Sequence, residues 1–318
     1  MSTPEQHKNV FLTGATGFVG RYVLGRLVER GHDVVALVRS EEKFKAVFPG
    51  VDRDRVKCVH GTLSDRKVLD DGLAGCHAVI HLVGIIMEGR GGQTFDCVHR
   101  RGTESVVDAA AAAGVRRYIH MSALGTGEKA GSGYHRSKWA AEQYVRSSDR
   151  DWTILRPSVI HGPDGEFMEL MKTFACGLLP PVMPYFGSGQ ARLQPVSVRD
   201  VAYCFVEALH RPETIRQVYE LGGPKTYSWR QLYTVCKRLI PGARWWKPRV
   251  GQPAFIARLL AATVMKTPLV PARFRFNTDQ VRMSQQDSIC DQTVVERAFG
   301  IKLGDFEAEL AGYADRIR

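Results

Sequence analysis

The chain opens with an apolar run, Val10-Phe11-Leu12, that breaks at Gly14. Apolar positions then recur at Val19, Tyr22, Val23, Leu27 and Val28, the i, i+3, i+4 spacing of a helix, until Gly31-His32-Asp33 interrupts them. A second apolar run, Val34 to Val38, follows. The pattern predicts strand, glycine loop, helix, turn and strand within about thirty residues, a βαβ unit. Val56 to Gly61 reads as a third strand, followed by a loop through Thr62-Leu63-Ser64-Asp65 and a helix over 66–74. Ala78 to Gly84 is a continuous apolar run, the pattern of a strand buried on both faces. An Ala-rich helix over 103–113 ends at Gly114, and Val115 to Met121 make a fifth strand that stops at Ser122. A glycine-rich loop, Gly125 to Gly133, leads into a helical pattern from Tyr134 to Tyr144, and Trp152 to Pro157 form a sixth strand.

Strands alternating with helices predict an α/β fold: a Rossmann-type doubly wound parallel sheet with helices on both faces, and a smaller C-terminal substrate or cap region. Residues 1–160 are expected to form the dinucleotide-binding part, with 191–222 returning to it. Residues 161–190 and 223–318 are expected to form the smaller region. The stretch 161–195 reads as loop-rich, broken by Pro180-Pro181, Pro184 and Gly187-Ser188-Gly189. Its apolar residues, Phe167, Met171, Phe174, Leu178, Leu179, Met183, Tyr185 and Phe186, are either core packing or an apolar substrate wall. A helix is expected over 198–210, a short strand over 218–221, and a helix from Trp229 to Leu239 capped by Ser228.

The glycines of the first loop are three apart, at Gly14, Gly17 and Gly20. This spacing suits a pyrophosphate. The first glycine permits the sharp turn, the second lets backbone N–H groups approach, and the third lets helix and sheet pack closely. Thr16, Phe18 and Val19 stand with these glycines at the helix N-terminus, whose free N–H groups and partial positive charge attract phosphate. Ligands of doubly wound sheets lie beyond the carboxyl ends of the strands, which adds Arg39, Leu63, Leu82, Val83 and Ser122 to one crevice. Asp33, the acid nearest on the second strand, stands at its wrong end for a ribose. Arg39 at the proper end suits a 2′-phosphate, so NADP(H) is favoured over NAD(H), with Lys43 as helper; Glu41 as a ribose ligand is the alternative.

Tyr134 and Lys138 are one helical turn apart and share a face. A phenol with pKa about 10 is a poor base near neutrality, and a nearby ammonium is expected to favour the phenolate. Ser122, at the end of the preceding strand, can orient a carbonyl while a nicotinamide exchanges hydride. The catalytic set expected is therefore Ser122, Tyr134 and Lys138.

Composition adds exclusions. The 318 residues carry seven cysteines scattered singly, with no Cys/His metal spacing, so neither a metal site nor a disulfide framework is expected and the setting is cytoplasmic. The net charge of +11 reads as spread along the chain, and no nucleic-acid module accompanies it. No apolar run approaches the ~20 residues needed to span a bilayer. The segment 244–266 is the unusual one: Arg244-Trp245-Trp246-Lys247-Pro248-Arg249, then the apolar stretch Ala254 to Lys266. It reads first as a helical cap over the substrate cleft and second as a contact with a membrane or a membrane complex.

With these motifs in view, the chain resembles the short-chain dehydrogenase/reductase superfamily. Thr13-Gly14-x-x-Gly17-x-x-Gly20 matches its cofactor signature, and Ser122 with Tyr134-x-x-x-Lys138 its catalytic set. Arg156-Pro157-Ser158-x-x-x-Gly162-Pro163 is similar to the extended and atypical branches, where the resemblance implies that the segment at Pro157 meets the nicotinamide end. Within them the chain looks most like NAD-dependent epimerase-like proteins grouped with the NDUFA9-type accessory subunit of respiratory complex I. Two departures stand out: Thr62 where an acidic residue is common, and His99 where an asparagine is common. The resemblance implies an oxidoreductase or epimerase-like enzyme acting on a hydroxyl/carbonyl small molecule, a sugar nucleotide or, favoured by the apolar residues of 161–195, something less polar. Its alternative is a non-catalytic NADPH-holding accessory protein, peripheral at a membrane complex. A redox sensor is a third class that no residue singles out.

Overall fold

The computed structural model describes residues 7–89, 91–266, 270–271 and 274–317. In its first half strands and helices alternate: β1 (Asn9–Thr13), α1 (Phe18–Glu29), β2 (Asp33–Val38), α2 (Glu41–Val47), β3 (Val56–His60), α3 (Arg66–Leu73), β4 (Ala78–His81), α4 (Gly102–Ala112), β5 (Arg117–Met121), α5 (Gly133–Ser147) and β6 (Asp151–Pro157). Two boundaries differ from the sequence expectation. β4 ends at His81, not Gly84, because beyond it the backbone turns away from its neighbours. The helix expected over 103–113 is entered through a π-helical turn, Asp96–Arg101, whose polar outer face hides it from a hydrophobic count.

The second half holds β7 (Ile160–His161), α6 (Glu166–Cys176), β8 (Met183–Phe186), β9 (Arg192–Leu193), β10 (Val196–Ser197), α7 (Val198–Glu207), β11 (Gln217–Leu221), β12 (Tyr227–Ser228), α8 (Trp229–Leu239), β13 (Arg249–Gln252), α9 (Ala254–Ala262), α10 (Thr278–Met283), α11 (Gln292–Phe299) and α12 (Phe306–Tyr313). The stretch read as loop-rich therefore contains an eleven-residue helix, α6. The breakers read there, from Pro180 to Gly189, all lie beyond its end at Cys176, and Gly165 and Gly177 are its caps. Ser228 caps α8 as expected, in a reciprocal box with Gln231.

β11, β6, β5, β4, β1, β2 and β3 form one sheet in that order, every pair parallel. Chain order reverses between β1 and β4, and a ligand crevice opens at the carboxyl ends beside such a switch point. The apolar strands are covered on both faces. Val23, Leu27, Phe205 and Phe299 belong to one buried cluster; Leu69, Val106, Tyr118 and Val145 belong to another. A third cluster lies apart from these, built by α6, β8, α8 and α12 through Met168, Met171, Met183, Tyr233, Phe306 and Leu310. Five of the eight apolar residues of 161–195 pack in or against it: Phe167, Met171, Phe174, Met183 and Tyr185. Leu178 and Leu179 stand in solvent instead, at 68 % and 71 % exposure.

Candidate active site

The first loop has the geometry that its glycines anticipate. Gly14 takes φ +78°, and its own Cβ would press on the backbone of Val83 at 3.3 Å, where β4 ends. The loop and the end of β4 thus touch at the switch point. A Cβ on Gly20 would lie 2.0 Å from the Gly14 carbonyl oxygen, so only glycine lets α1 close on the loop. Gly17 is the exposed N-cap of α1 and carries no side-chain cap of its own. Free N–H groups at Phe18 and Val19 and a bare approach at Gly17 make a cradle that fits a pyrophosphate. The Phe18 ring packs against Gly162 and Gly165, after β6, fixing that segment beside the loop. Thr13 secures the same joint: its hydroxyl accepts from the N–H of Leu82 at 3.2 Å and meets Nδ1 of His81 at 2.8 Å.

Arg39 is exposed at the carboxyl end of β2, and its carbonyl meets the ring of His60. It forms no ion pair among the described residues. The two acids that follow are engaged elsewhere: Glu41 pairs with Lys45 at 2.8 Å, and Glu42 accepts from Ser40 at 2.9 Å. Ser40 also caps α2 by accepting from the N–H of Lys43. Leu63 packs against Gly102 at the start of α4, and Thr62 meets Ser64 at 3.0 Å.

β5 delivers Ser122 to its carboxyl end, where the side chain is buried and donates to Thr126 at 3.3 Å. The N–H of Ser122 donates to Leu155, and that of Leu124 to Pro157, tying the β5 and β6 ends together. Ser132 caps α5 by accepting from the N–H of His135, which places Tyr134 in the first turn and Lys138 one turn on. The Tyr134 ring sits edge-on to Phe95, His99 and His135, with centroids 5.2–5.9 Å away. Lys138 is buried, and its Nζ donates to the carbonyl of Met121 at 3.0 Å. Its Nζ also faces Gly84 across the loop after β4.

The electrostatics differ from the sequence expectation. Burial pushes the Tyr134 phenol up to about 12, and Lys138 does not offset this. Burial also lowers Lys138 to about 8, only partly countered by Glu142. In this arrangement the ammonium is spent on the Met121 carbonyl, and the phenol keeps its proton at neutral pH.

His99 was noted as a departure, but its wiring is not legible from sequence. Its Nε2 accepts from the N–H of Ile85 at 3.0 Å, and its Nδ1 meets Oγ of Ser137 at 2.8 Å. Ser137 in turn donates to the Tyr134 carbonyl at 2.7 Å. An acceptor at Nε2 leaves the proton on Nδ1, so the ring is neutral and donates to Ser137. Burial agrees, lowering His99 to about 2. The imidazole thus links the loop after β4 to the first turn of α5. Glu142, one turn beyond Lys138, is fully buried and accepts from Arg156 at 2.7 and 2.8 Å, which locks α5 to β6.

Residues 14–212 match the family model for NAD(P)H-binding proteins. The chain belongs to this NAD(P)H-binding family. It is 30 % identical over 292 residues to the mitochondrial NADH dehydrogenase [ubiquinone] 1 alpha subcomplex subunit 9 of Arabidopsis thaliana, covering 89 % of this chain and 71 % of that one. It is 32 % identical over 225 residues to a ceramide reductase of Caulobacter vibrioides, covering 70 % and 68 %. In fold it is similar to the UDP-glucose 4-epimerase of Thermotoga maritima, with TM-score 0.72, 18 % identity, and 97 % and 98 % of the two chains covered. The relatives thus include a reductase and a subunit of an NADH dehydrogenase [ubiquinone].

Proposed function

We propose that the protein is an NADP(H)-dependent oxidoreductase that reduces the carbonyl of an apolar small molecule. The observation that carries this reading is the joint at the end of β5: Ser122 buried there, Lys138 anchored to Met121, and a protonated Tyr134 in the first turn of α5. Gly14, Thr16, Gly17, Phe18, Val19 and Gly20 would hold the pyrophosphate. Arg39, with Lys43, would meet the 2′-phosphate, since Glu41 and Glu42 are turned to other partners. Leu63, Leu82, Val83 and Pro157 would line the rest of the cofactor groove, with Tyr134 and Lys138 at its nicotinamide end. NADPH, when bound, supplies the hydride. Ser122, turning its hydroxyl proton from Thr126 to the substrate, donates a hydrogen bond that orients the carbonyl, and Tyr134 gives its phenolic proton to the oxygen as the carbonyl becomes an alcohol. Solvent then returns a proton to the phenol. A ceramide reductase among the relatives fits an apolar substrate. Tyr134→Phe keeps the ring packing and removes the proton. It should abolish NADPH-dependent reduction of a panel of long-chain ketones while NADPH still binds; undiminished turnover rejects the assignment.

A second reading is favoured by the relatives that are respiratory-complex subunits. In it the protein holds NADPH without turnover, the cofactor stabilises the fold by mass action, and the protein docks on a membrane complex. Wild type would then be as inactive as Tyr134→Phe, and NADPH would raise the Tm of both.

A further inference from the structure

The positive charge of this protein is concentrated, contrary to the sequence expectation of an even spread. Between Glu220 and Asp279 there is no acidic residue, and the 58 intervening residues carry 11 Lys and Arg, equal to the net charge of the whole chain. Lys225 and Arg238 within it are paired to Asp305 and Glu307. Arg244, Arg249 and Arg258 form no ion pair among the described residues.

The same stretch exposes most of the large apolar side chains that stand in solvent. Trp245 is 84 % exposed, Phe255 68 % and Leu259 64 %, with Trp246, Val250 and Ile256 also exposed. These side chains are not on a loose tail. The Arg244 N–H donates to the Ala175 carbonyl at 2.9 Å, and its guanidinium donates to Cys176 at 2.8 Å. Lys247 is buried with its Nζ on the carbonyls of Phe174 and Gly177. This ties the tryptophans to the end of α6, beside exposed Leu178 and Leu179. β13 pairs with β8, and α9 follows it directly. In α9, Ala257 and Ala261 face inward, while Phe255, Ile256 and Leu259 face out with Arg258 among them. The Lys266 side chain, part of the segment singled out from the sequence, lies outside the described residues.

We propose that the 244–262 segment, with Leu178 and Leu179, is a surface that seats the protein on an anionic lipid bilayer. Tryptophans beside unpaired cations suit the headgroup level, where the ring is half solvated and the charge meets phosphate. Within these 58 residues themselves no acid repels an anionic surface. α9 has nine residues, too few to cross, so it would lie in the plane of the interface. Among the described residues no helix is long and apolar enough to span a membrane. The cap over a substrate cleft expected from the sequence would have turned these apolar side chains inward; they are turned out. This proposal is independent of whether the protein turns over.

The test uses the full chain and vesicles of phosphatidylcholine, alone or with phosphatidylglycerol as the anionic component. The protein should sediment with the mixed vesicles and far less with neutral ones. Added salt should weaken the binding, and tryptophan emission should shift to the blue on binding. The double variant Phe255→Glu, Leu259→Glu places charge at exposed sites and should keep its Tm and its NADPH affinity. Its affinity for the mixed vesicles should fall by about tenfold or more, since Phe and Leu burial and cation attraction act together. Trp245→Ala should show a smaller loss. Failure of the wild type to bind mixed vesicles, or equal binding by the double variant, overturns the proposal. So does a double variant that leaves vesicle binding intact but loses a protein complex recovered from detergent extracts, which would make the face a protein interface.

Discussion

The Nζ of Lys138 donates to the carbonyl oxygen of Met121 across 3.0 Å, joining the second turn of α5 to the last residue of β5. Ser122 is the next residue along, so one bond sets the spacing of serine and lysine. Its cost is visible in the lysine, which burial lowers to about 8.

That lowering has a direction in solution. Between about pH 8 and the ordinary lysine value of 10.5, the unfolded chain binds a proton at Lys138 that the folded one does not, so this residue's contribution to stability rises with pH. Below about 8 both states are protonated and the burial penalty is present in full. Urea denaturation of wild type and Lys138→Met should therefore show a stability difference moving in favour of wild type from pH 8 to 10, by up to about 1.4 kcal/mol per pH unit. A difference independent of pH contradicts the buried-ammonium account.

Acid acts through the histidines. His81, His99, His120 and His161 are buried, and burial, the largest cause at each, holds them below the ordinary value, to about 3, 2, well below it, and about 3 respectively. Both ring nitrogens of His120 lack a hydrogen-bond partner. As pH falls below 6.5 the unfolded chain gains protons that these rings refuse, so stability is intact above that value and lost beneath it. With four such groups the loss should approach about 5 kcal/mol per pH unit near pH 5. Tm measured from pH 7.5 to 5 should drop steeply below 6.5, and His120→Phe, in a site that makes no hydrogen bond through the ring, should lessen the slope. An unchanged slope would contradict this assignment.

The glycine hairpin can be probed with a matched pair on one helix. A Cβ at Gly20 would meet the Gly14 carbonyl at 2.0 Å, whereas one at Gly25 meets nothing within 4 Å. Gly25→Ala should be neutral or stabilise by about 0.5–1 kcal/mol, through helix propensity. Gly20→Ala should destabilise the protein and abolish nucleotide binding. Calorimetric titration of both variants with NADPH checks the pair, and equal affinity would deny the close approach.

How far these features were legible depends on how local their causes are. The β1–α1–β2 unit was readable because periodicity changes from strand to helix at Gly14 and back at Asp33, within one unit. That Tyr134 and Lys138 stand one turn apart at the start of the helix after β5 is legible from their four-residue spacing. The sequence pattern overextends β4 because Leu82 and Val83 are apolar, yet they turn into the loop beside Gly14 instead of pairing. α6 escapes the sequence reading because Pro180-Pro181, Pro184 and Gly187-Ser188-Gly189 colour the whole of 161–195 as loop, although all of them lie beyond the helix end at Cys176. The acidifying effect of Lys138 on Tyr134 was expected from helix geometry alone; only the position of the Met121 carbonyl, seventeen residues away, shows where the ammonium goes. The core of α6, α8 and α12 joins Met168, Tyr233 and Phe306, far apart in the chain, and no local pattern announces it.

The account rests on a nucleotide gripped by the Gly14–Gly20 hairpin with its adenosine end at Arg39. Calorimetric titration of the wild type and Arg39→Asp with NADPH and NADH tests this most directly. The wild type should bind NADPH more tightly than NADH, and Arg39→Asp should lose about tenfold or more for NADPH while gaining for NADH, since a carboxylate accepts from the ribose hydroxyls and repels the 2′-phosphate. A wild type with no affinity for either nucleotide would contradict the account.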